Sequence, residues 1–556
     1  MNHGHPLRAS CAALVCILSP LASGCDLAPA RFPDAEASAD HHEAGVVADS
    51  ANLDLRREID RGAESVVADG ATHTESDAGE TDRPPLDRAS RPDVAGIDAA
   101  ASPDAAGHDR GAQSSCGCYP APFTAQEPGR GLRWVRNNPM FISALSVSLG
   151  PPPAQFVHDY YEGFNATATH LWADGLPGES AAWVAAGRED LRFVAWLDHD
   201  GNSAANGQLL GGAPPDIAHR IGYQIGDEPG QTCGDRSYEC ALAQLQGMSD
   251  GIDAVREVDP DALIYVNFNN HRELEALLEY YGAHVDGDLV SFDRYNRGWG
   301  EYETMELVRR AALDQGKPYW RFLEAFYDRD DPEAALTESD LRWSAFAGLL
   351  YGFTGHTWFV YSCGFNHDIR PALYAQAADF GAAPTELWQL VAQINVELQH
   401  LGRALTQLTS TDVRYLPAIA LALPTNTTRW EPSAGQDPFL VEVSVEQGTF
   451  VDLSLGFFRD GLAEHYLMVQ NVSHAGGELP TSLGDAATIR LTFDFECCCG
   501  AVSDAQVLSL DRVSGEVVGL PLSAAGGLRF VELELAAGDV VLLKYDSGLP
   551  FAGVQG

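Results

Sequence analysis

Apolar runs alternate with amphipathic stretches along the middle of the chain, from about residue 135 to 402. Helical spacing appears between the runs, as at 238–256. Eight such units in roughly 270 residues match a (β/α)8 TIM barrel, whose usual size is about 250 residues; a doubly wound sheet is the alternative. The strands are predicted at 141–148, 168–174, 192–198, 221–228, 263–270, 288–295, 318–324 and 355–362.

The hydrophobic pattern changes after the last predicted barrel helix, at 376–402. Short alternating runs separated by Gly, Asn and Asp are typical of a β-sandwich. The fold class is therefore predicted as α/β, with a barrel over 119–404 and a C-terminal all-β sandwich domain over 405–556. The sandwich strands are predicted at 413–423, 439–446, 464–472, 487–495, 528–535 and 539–545.

Polar and aromatic residues collect at the carboxyl ends of the predicted barrel strands, which is where active sites gather in this fold. Glu228 closes the fourth strand and Glu324 the seventh. An unpaired buried carboxylate is costly, so each must reach water, a partner or a ligand. Together they suggest an acid and a nucleophile facing one sugar. The other strand-end residues are Trp172, Asp174, Asp198, Asp227, Asn267, Asn269, Asp293 and Tyr295.

Alternation along the fourth strand predicts the direction of its side chains. Gln224, Gly226 and Glu228 would share the face inside the barrel, and Asp227 would lie on the opposite face. Asp293 is a rival catalytic carboxylate if Glu324 proves to be paired with Arg321.

The first 25 residues have the composition of an export signal. An apolar run at 11–18 follows Arg8, and small residues precede Cys25, which resembles a bacterial lipoprotein signal with Cys25 as the lipidated amino terminus. An ordinary signal peptide is the alternative. Both predict export, and the lipoprotein signal predicts lipid anchoring in the bacterial cell envelope, in the outer membrane, at the cell surface or in the periplasm. No later stretch has the roughly 20 continuous apolar residues of a membrane helix, so the lipid would be the only anchor.

Composition and charge limit the partners. Residues 26–118, rich in Ala, Asp, Ser and Gly with few aromatics, are predicted to form a disordered acidic linker. The chain has a formal charge of −44, and its only lysines are Lys317 and Lys544. This composition argues against nucleic acid and anionic lipid as partners, because both require basic clusters.

Cysteine usage fits an oxidising compartment, where disulfides are the default. Cys233 and Cys240 would close a small loop directly after Glu228. The pairing of Cys116, Cys118, Cys363 and Cys497 to Cys499 is left open. None of these cysteines has zinc spacing with supporting histidines, and the turn at 198–202 lacks the distal Glu of a calcium loop. We therefore predict no metal and no cofactor.

The order of a strand-four Glu-Pro, a strand-seven Glu and the aromatic run 358–361 resembles the clan A glycoside hydrolases, which include the β-galactosidases of family 42. The resemblance covers about half of the chain. It implies a carbohydrate substrate and retaining hydrolysis, with Glu228 as acid/base and Glu324 as nucleophile. Sugar contacts would come from strand-end residues: Trp172, Asp174, Asp198, Asp227, Asn267, Asp293, Tyr295 and Trp358.

The chain departs from the clan at Asp227, where that clan has Asn. An ionised Asp accepts a hydrogen bond from a hydroxyl but cannot donate one, and its charge would raise the pKa of a neighbouring carboxyl. Two function classes follow: a surface-tethered glycoside hydrolase, or a non-catalytic glycan-binding or structural surface lipoprotein with a degenerate barrel. A serine hydrolase lacks support, because no Gly-x-Ser-x-Gly motif lies near a strand-to-helix turn.

Overall fold

The structure is a computed structural model. It describes residues 128–147, 154–172, 192–197, 220–234, 236–295, 297–328, 336–363, 369–371, 373, 383–418, 423–432, 437–448, 451–474, 486–495 and 502–554. The sequence predictions that fall outside these residues concern the export signal with Cys25, the linker, Cys116, Cys118, Cys497 to Cys499, and the turn at 198–202. No helix in the described ranges is long and apolar enough to cross a membrane.

Eight parallel strands close a barrel, each pairing with the next and the last with the first. This closure confirms the predicted TIM barrel and excludes a doubly wound sheet, which would leave two edge strands. The barrel strands are β1 (Phe141–Val147), β2 (Thr169–Trp172), β3 (Phe193–Leu197), β4 (Arg220–Asp227), β5 (Leu263–Phe268), β6 (Leu289–Phe292), β7 (Tyr319–Glu324) and β9 (Gly355–Cys363).

Helices cover the outside of the barrel and bury the stripes that helical spacing predicted. In the helix Tyr238–Val258, for example, Leu245, Met248, Ile252 and Val255 are fully or almost fully buried. A short antiparallel pair, β8 (Phe326–Asp328) with β10 (Ile369–Pro371), stands beside the barrel. The helices are α1 (Arg130–Asn137), α2 (Ala154–His158) with a π-helical turn at Asp159–Gly163, α3 (Tyr238–Val258), α4 (Leu274–His284), α5 (Trp299–Asp314), α6 (Glu338–Tyr351) and α7 (Glu386–Leu405).

The inside of the barrel is filled by apolar layers that leave polar groups near the carboxyl ends of the strands. One cluster joins residues near the strand starts, including Phe141, Leu263 and Trp320. A second cluster lies toward the strand ends and includes Trp196, Phe322, Phe359 and Val360, with Tyr295 packed against it. The interior of the barrel is therefore filled with side chains, and the polar groups lie at the end of the barrel where the strands finish.

Two antiparallel sheets follow the barrel and confirm the predicted sandwich. Their strands are β11 (Thr409–Leu416), β12 (Leu440–Gly448), β13 (Leu453–Arg459), β14 (His465–Asn471), β15 (Ala487–Phe493), β16 (Gln506–Leu510), β17 (Val517–Pro521), β18 (Ser523–Ala525), β19 (Leu528–Leu535) and β20 (Val540–Tyr545). The first sheet has the order β11-β13-β14-β20-β16-β17 and the second the order β12-β15-β19-β18. The runs named from the sequence do not include β13, although they include β14, which is buried over its whole length as well.

The six-stranded sheet packs against the barrel through apolar and charged contacts. Residues of this sheet, including Met468 and Leu542, belong to the same core as the barrel helices. Arg342 of α6 binds Glu397 of α7 at 2.9 Å and Asp539, just before β20, at 3.2 Å. Arg512 binds the same two carboxylates. Because a buried charge needs fixed partners, this network sets the position of α6 on the sandwich.

Candidate active site

The end of β4 carries a β-bulge. Gln224 pairs with Tyr265 of β5, but Asp227 pairs with Asn267, so β4 has one residue more than β5 between these points. Gly226 takes up the extra length at φ +77°, and a Cβ there would lie 2.5 Å from the side chain of Met248. Because of this inserted residue, Asp227 lies on the same face as Gln224. The prediction that Asp227 lies on the opposite face is therefore wrong.

Glu228 follows the bulge in an uncommon backbone conformation. Its φ is 45°, a left-handed value that residues other than glycine rarely adopt. Its N–H donates to the carbonyl oxygen of Asn267 at 2.8 Å. Its Oε2 is buried and has no hydrogen-bond partner among the described residues. Such conformations persist only where the surroundings hold them, and they cluster at functional sites.

The side-chain amide of Asn267 joins two carboxyl groups beside the end of β4. The Asn267 amide nitrogen donates to Asp227 Oδ1 at 2.9 Å and to Asp293 Oδ1 at 3.1 Å. Its oxygen accepts from Ser291 Oγ at 2.8 Å, which fixes the direction of the amide. Asp293 also shares hydrogen bonds with Glu228 and Tyr295. The structure thus brings together five of the predicted site residues.

The electrostatics of this cluster favour a protonated Glu228. Burial raises its pKa well above the ordinary value, and the charges of Asp293 and Asp227 raise it further, while Arg236 acts in the opposite direction. Burial also raises the pKa of Asp293, to about 6, against the hydrogen bonds that stabilise its ionised form. Of the two carboxyl groups, Glu228 is therefore the one whose surroundings favour the protonated form more strongly. A general acid requires that protonation state.

Glu324 ends β7 on the same face as Trp320 and Phe322, whose side chains fill the barrel. Its Oε2 lies 3.4 Å from Nε of Arg297, in the loop after β6. Burial raises the pKa of Glu324 to about 7, Arg297 lowers it and Asp340 raises it. Arg321 instead pairs with Glu301 outside the barrel. Glu324 is therefore not paired with Arg321, and the stated reason for preferring Asp293 as the catalytic carboxylate does not apply.

The aromatic residues proposed for sugar stacking have different positions. Tyr295 lies at the strand ends and stacks on Phe359, with ring centroids 5.6 Å apart. The prediction for Trp358 is wrong: it is fully buried, and its Nε1 donates to Asn395 of α7 at 2.8 Å. Neighbouring residues of a strand face opposite sides, so the inward residue is Phe359. The side chain of Trp172, and all of Asp174 and Asp198, lie outside the described part of the chain.

The predicted disulfide between Cys233 and Cys240 is present. It joins the loop after Glu228 to the first turn of α3. Gln244 of that helix accepts a hydrogen bond from the N–H of Gly230 at 2.7 Å. The segment that follows the predicted acid is therefore tied to the helix covalently and by a hydrogen bond.

Sequence reasoning missed three residues around Glu324. Arg297 Nη1 lies 3.6 Å from Asp340 Oδ2 near the start of α6, and Asp340 Oδ1 lies 2.7 Å from Nδ1 of His474 in the sandwich. Asp340 has a sequence signal only as the last residue of a Thr-x-x-Asp capping motif that begins at Thr337. His474 has no signal, because its contact depends on how the two domains pack.

Within the described ranges, no group of three or more His, Cys, Asp or Glu residues is arranged to hold a metal ion. The side chains around the two glutamates supply carboxyl groups, an amide, guanidinium groups and an aromatic ring.

No protein-family model matches the chain, and no curated protein matches it. Solved structures with some similarity include a glycoside hydrolase family 30 endoxylanase from Clostridium papyrosolvens, at TM-score 0.38 and 10% identity, covering 74% of this chain and 97% of that chain. An endo-beta-1,4-mannanase from Thermotoga petrophila has TM-score 0.35 and 9% identity, covering 61% and 96%. The beta-galactosidase from the psychrophilic Marinomonas ef1 has TM-score 0.35 and 10% identity, covering 48% and 62%. Similarities this low carry no argument about substrate or site residues.

Proposed function

We propose that this chain is a retaining glycoside hydrolase acting on a poly- or oligosaccharide, with Glu228 as acid/base and Glu324 as nucleophile. One observation carries the proposal: two carboxyl groups end strands β4 and β7 in opposite electrostatic settings. Glu228 stands beside other carboxyl groups and Glu324 beside a guanidinium. Environments that separate the protonation states of two carboxyl groups are how such enzymes assign acid and nucleophile.

In the proposed reaction, the Glu324 carboxylate attacks the anomeric carbon while Glu228 gives its proton to the leaving oxygen. The glycosyl ester on Glu324 is then cleaved by water, whose proton passes to Glu228, so both carboxyl groups return to their starting states. The two carboxyl groups must stand about 5 to 5.5 Å apart for this chemistry. Asp293 supports the acid by holding its proton in place before transfer.

Substrate contacts in this proposal come from the same strand ends. Tyr295 offers an aromatic face, and Asp227 an acceptor for a sugar hydroxyl. Trp172, Asp174 and Asp198 remain predicted contacts on β2 and β3. The family 42 likeness, the lipid anchor at Cys25 and the place in the cell envelope belong to the proposal as well, and rest on the sequence alone.

A carbohydrate-binding protein without catalysis is the second candidate. It is favoured by Asp227, which replaces the amide expected in the clan and whose Oδ1 already accepts hydrogen bonds from Asn267 and Gln224. In that case the strand ends would retain glycan without cleaving it.

The deciding experiment incubates the purified full chain with a panel of polysaccharides and aryl glycosides and measures released reducing ends. Glu228→Gln and Glu324→Gln are the site variants, and the exposed Glu275→Gln of α4 is the matched control. We expect the control to be active, Glu324→Gln to be inactive, and Glu228→Gln to lose at least about a hundredfold. Azide should rescue Glu324→Ala by forming a glycosyl azide, which separates a nucleophile from a merely structural Glu.

Retention of a glycan without cleavage by the wild-type chain would instead support the binding protein. Cleavage that survives both glutamine substitutions would overturn the assignment of the two carboxyl groups.

A further inference from the structure

We propose that His474 of the β-sandwich is a positioning residue for Glu324, acting through Asp340 and Arg297. The inference rests on the proposed function for its consequence in catalysis, and on the geometry of four side chains for its mechanism. It assigns to the second domain a part in the site, beyond packing against the barrel.

The first link is Arg297, which stands between two carboxylates. Its Nε lies 3.4 Å from Glu324 Oε2, and its Nη1 lies 3.6 Å from Asp340 Oδ2. The Asp340 side chain is fully buried, and that of Arg297 is 21% exposed. Charges attract more strongly where water is largely excluded. The strength of the ion pair between Arg297 and Glu324 therefore depends on how strongly Asp340 attracts the same guanidinium.

The second link is Asp340, whose two oxygens have different partners. Oδ2 accepts from the N–H of Thr337 at 2.9 Å and from its Oγ1 at 2.7 Å, which closes the cap of α6. Oδ1 lies 2.7 Å from Nδ1 of His474. Because a carboxylate only accepts, Nδ1 carries the hydrogen. Burial would raise the pKa of Asp340, but the hydrogen bonds from His474 and Thr337 hold it below its ordinary value.

The third link is the packing of His474 against α6. It follows β14 and its ring lies over Trp343 of α6, with ring centroids 4.8 Å apart and planes at 30°. Gln470 of β14 donates to the carbonyl oxygen of Trp343 at 3.1 Å. The imidazole is therefore fixed to the helix that carries Asp340, and its Nδ1 faces Oδ1, the carboxylate oxygen that takes no part in the cap.

The relay predicts opposite effects for two substitutions. His474→Ala removes a donor from Asp340, whose charge then draws Arg297 away, so the pKa of Glu324 should rise. Asp340→Asn removes the competing charge and leaves Arg297 to Glu324, so that pKa should fall. His474→Asn keeps an amide donor where Nδ1 stands and should behave like the wild type.

The test is a carboxyl ¹³C NMR titration of Glu324 in the full chain labelled with ¹³C-glutamate, with the signal assigned from its loss in Glu324→Gln. The exposed His284→Ala is the matched control. We expect the midpoint to move up in His474→Ala, down in Asp340→Asn, and not at all in His474→Asn or the control. If His474→Ala does not fold, His474→Gln, which moves the donor away from the Nδ1 position, replaces it with the same expected direction.

The kinetic readout is the pH dependence of kcat/KM on whichever glycoside the wild type cleaves. A rise of the pKa of Glu324 by one should lower kcat/KM in His474→Ala about tenfold on the acid side and leave the alkaline plateau unchanged. A titration midpoint that stays at the wild-type value in folded His474→Ala overturns the inference. A wild type that cleaves nothing sets aside the proposed function instead, and the titration still decides the role of His474.

Discussion

The ends of β4 and β7 each present a glutamate, but the two are held by different means. Glu228 lies beside Asp227, at the end of the same strand, and Asp293, which follows β6. A bulge in β4 precedes Glu228, and a disulfide ties the loop after it to α3. Glu324 lies beside a guanidinium whose second partner, Asp340, is bound by the sandwich. Burial raises the pKa of both glutamates; nearby carboxyl groups raise that of Glu228 further, whereas the Arg297 guanidinium lowers that of Glu324. The proposed division into acid and nucleophile rests on this difference between their neighbours.

Replacing Arg297 should disturb this contrast most. Three main influences act on the pKa of Glu324: burial and Asp340 raise it, and Arg297 lowers it. Arg297→Ala removes the one that lowers it. Because a nearby opposite charge is worth about one to three pKa units, we expect kcat/KM at pH 6 to fall roughly a hundredfold. Initial rates from pH 5 to 9 measure the effect.

Arg297→Lys is the matched control for that measurement, since it keeps the positive charge while losing the fork that reaches both carboxylates. It should retain more activity than Arg297→Ala across the acid range. Equal losses in the two variants, or a loss that is the same at pH 6 and pH 9, would contradict a charge effect on Glu324.

The second substitution acts on the other side of the comparison. Asp293→Asn removes the carboxyl group that shares a hydrogen bond with Glu228 and raises its pKa. The acid then loses its proton at lower pH, so the alkaline limb of the activity profile should move down, with about a tenfold loss near pH 9. Activity at pH 6 should change much less, apart from a loss common to all pH values if Asn267 shifts.

Asp227→Asn should have the same sign and a smaller size. Asp227 also raises the pKa of Glu228, but it ranks after burial and Asp293 among the causes. We expect a loss of a few-fold near pH 9 and unchanged or higher activity at pH 6, where an amide can donate to a hydroxyl. A large loss at every pH would show that the carboxylate itself is needed, and would separate this chain from the clan that it resembles.

Some of these residues could be predicted from the sequence and others could not. Strand-end polarity identified Glu228, Asp227, Asn267, Asp293 and Glu324 because the barrel places parallel strand ends on one face. Two predictions failed for different reasons. Alternation along β4 does not anticipate the bulge that turns Asp227 to the face of Gln224, and strand-end position alone does not say which of the neighbouring aromatics at 358 and 359 faces inward. Arg297 and His474 were not found, because they come from loops and reach their partners only through tertiary packing, His474 across 134 positions.

The smallest expected effects are on stability, and they compare the two glutamates directly. Folding raises the pKa of both glutamates. Each therefore contributes its full stability below the unfolded pKa, at about pH 4 to 5, and loses that contribution as the pH rises through its folded pKa. For Glu324 the folded pKa is about 7. Glutamine at either position avoids the loss, so the Tm difference from wild type should be near zero at pH 5 and a few degrees positive at pH 8. Glu228→Gln should gain more, because it relieves like charges, whereas Glu324→Gln leaves Arg297 with one partner fewer. Thermal unfolding of both variants and Glu275→Gln at the two pH values measures this order, and a larger gain for Glu324→Gln would mean that Arg297 does little to stabilise the carboxylate beside it.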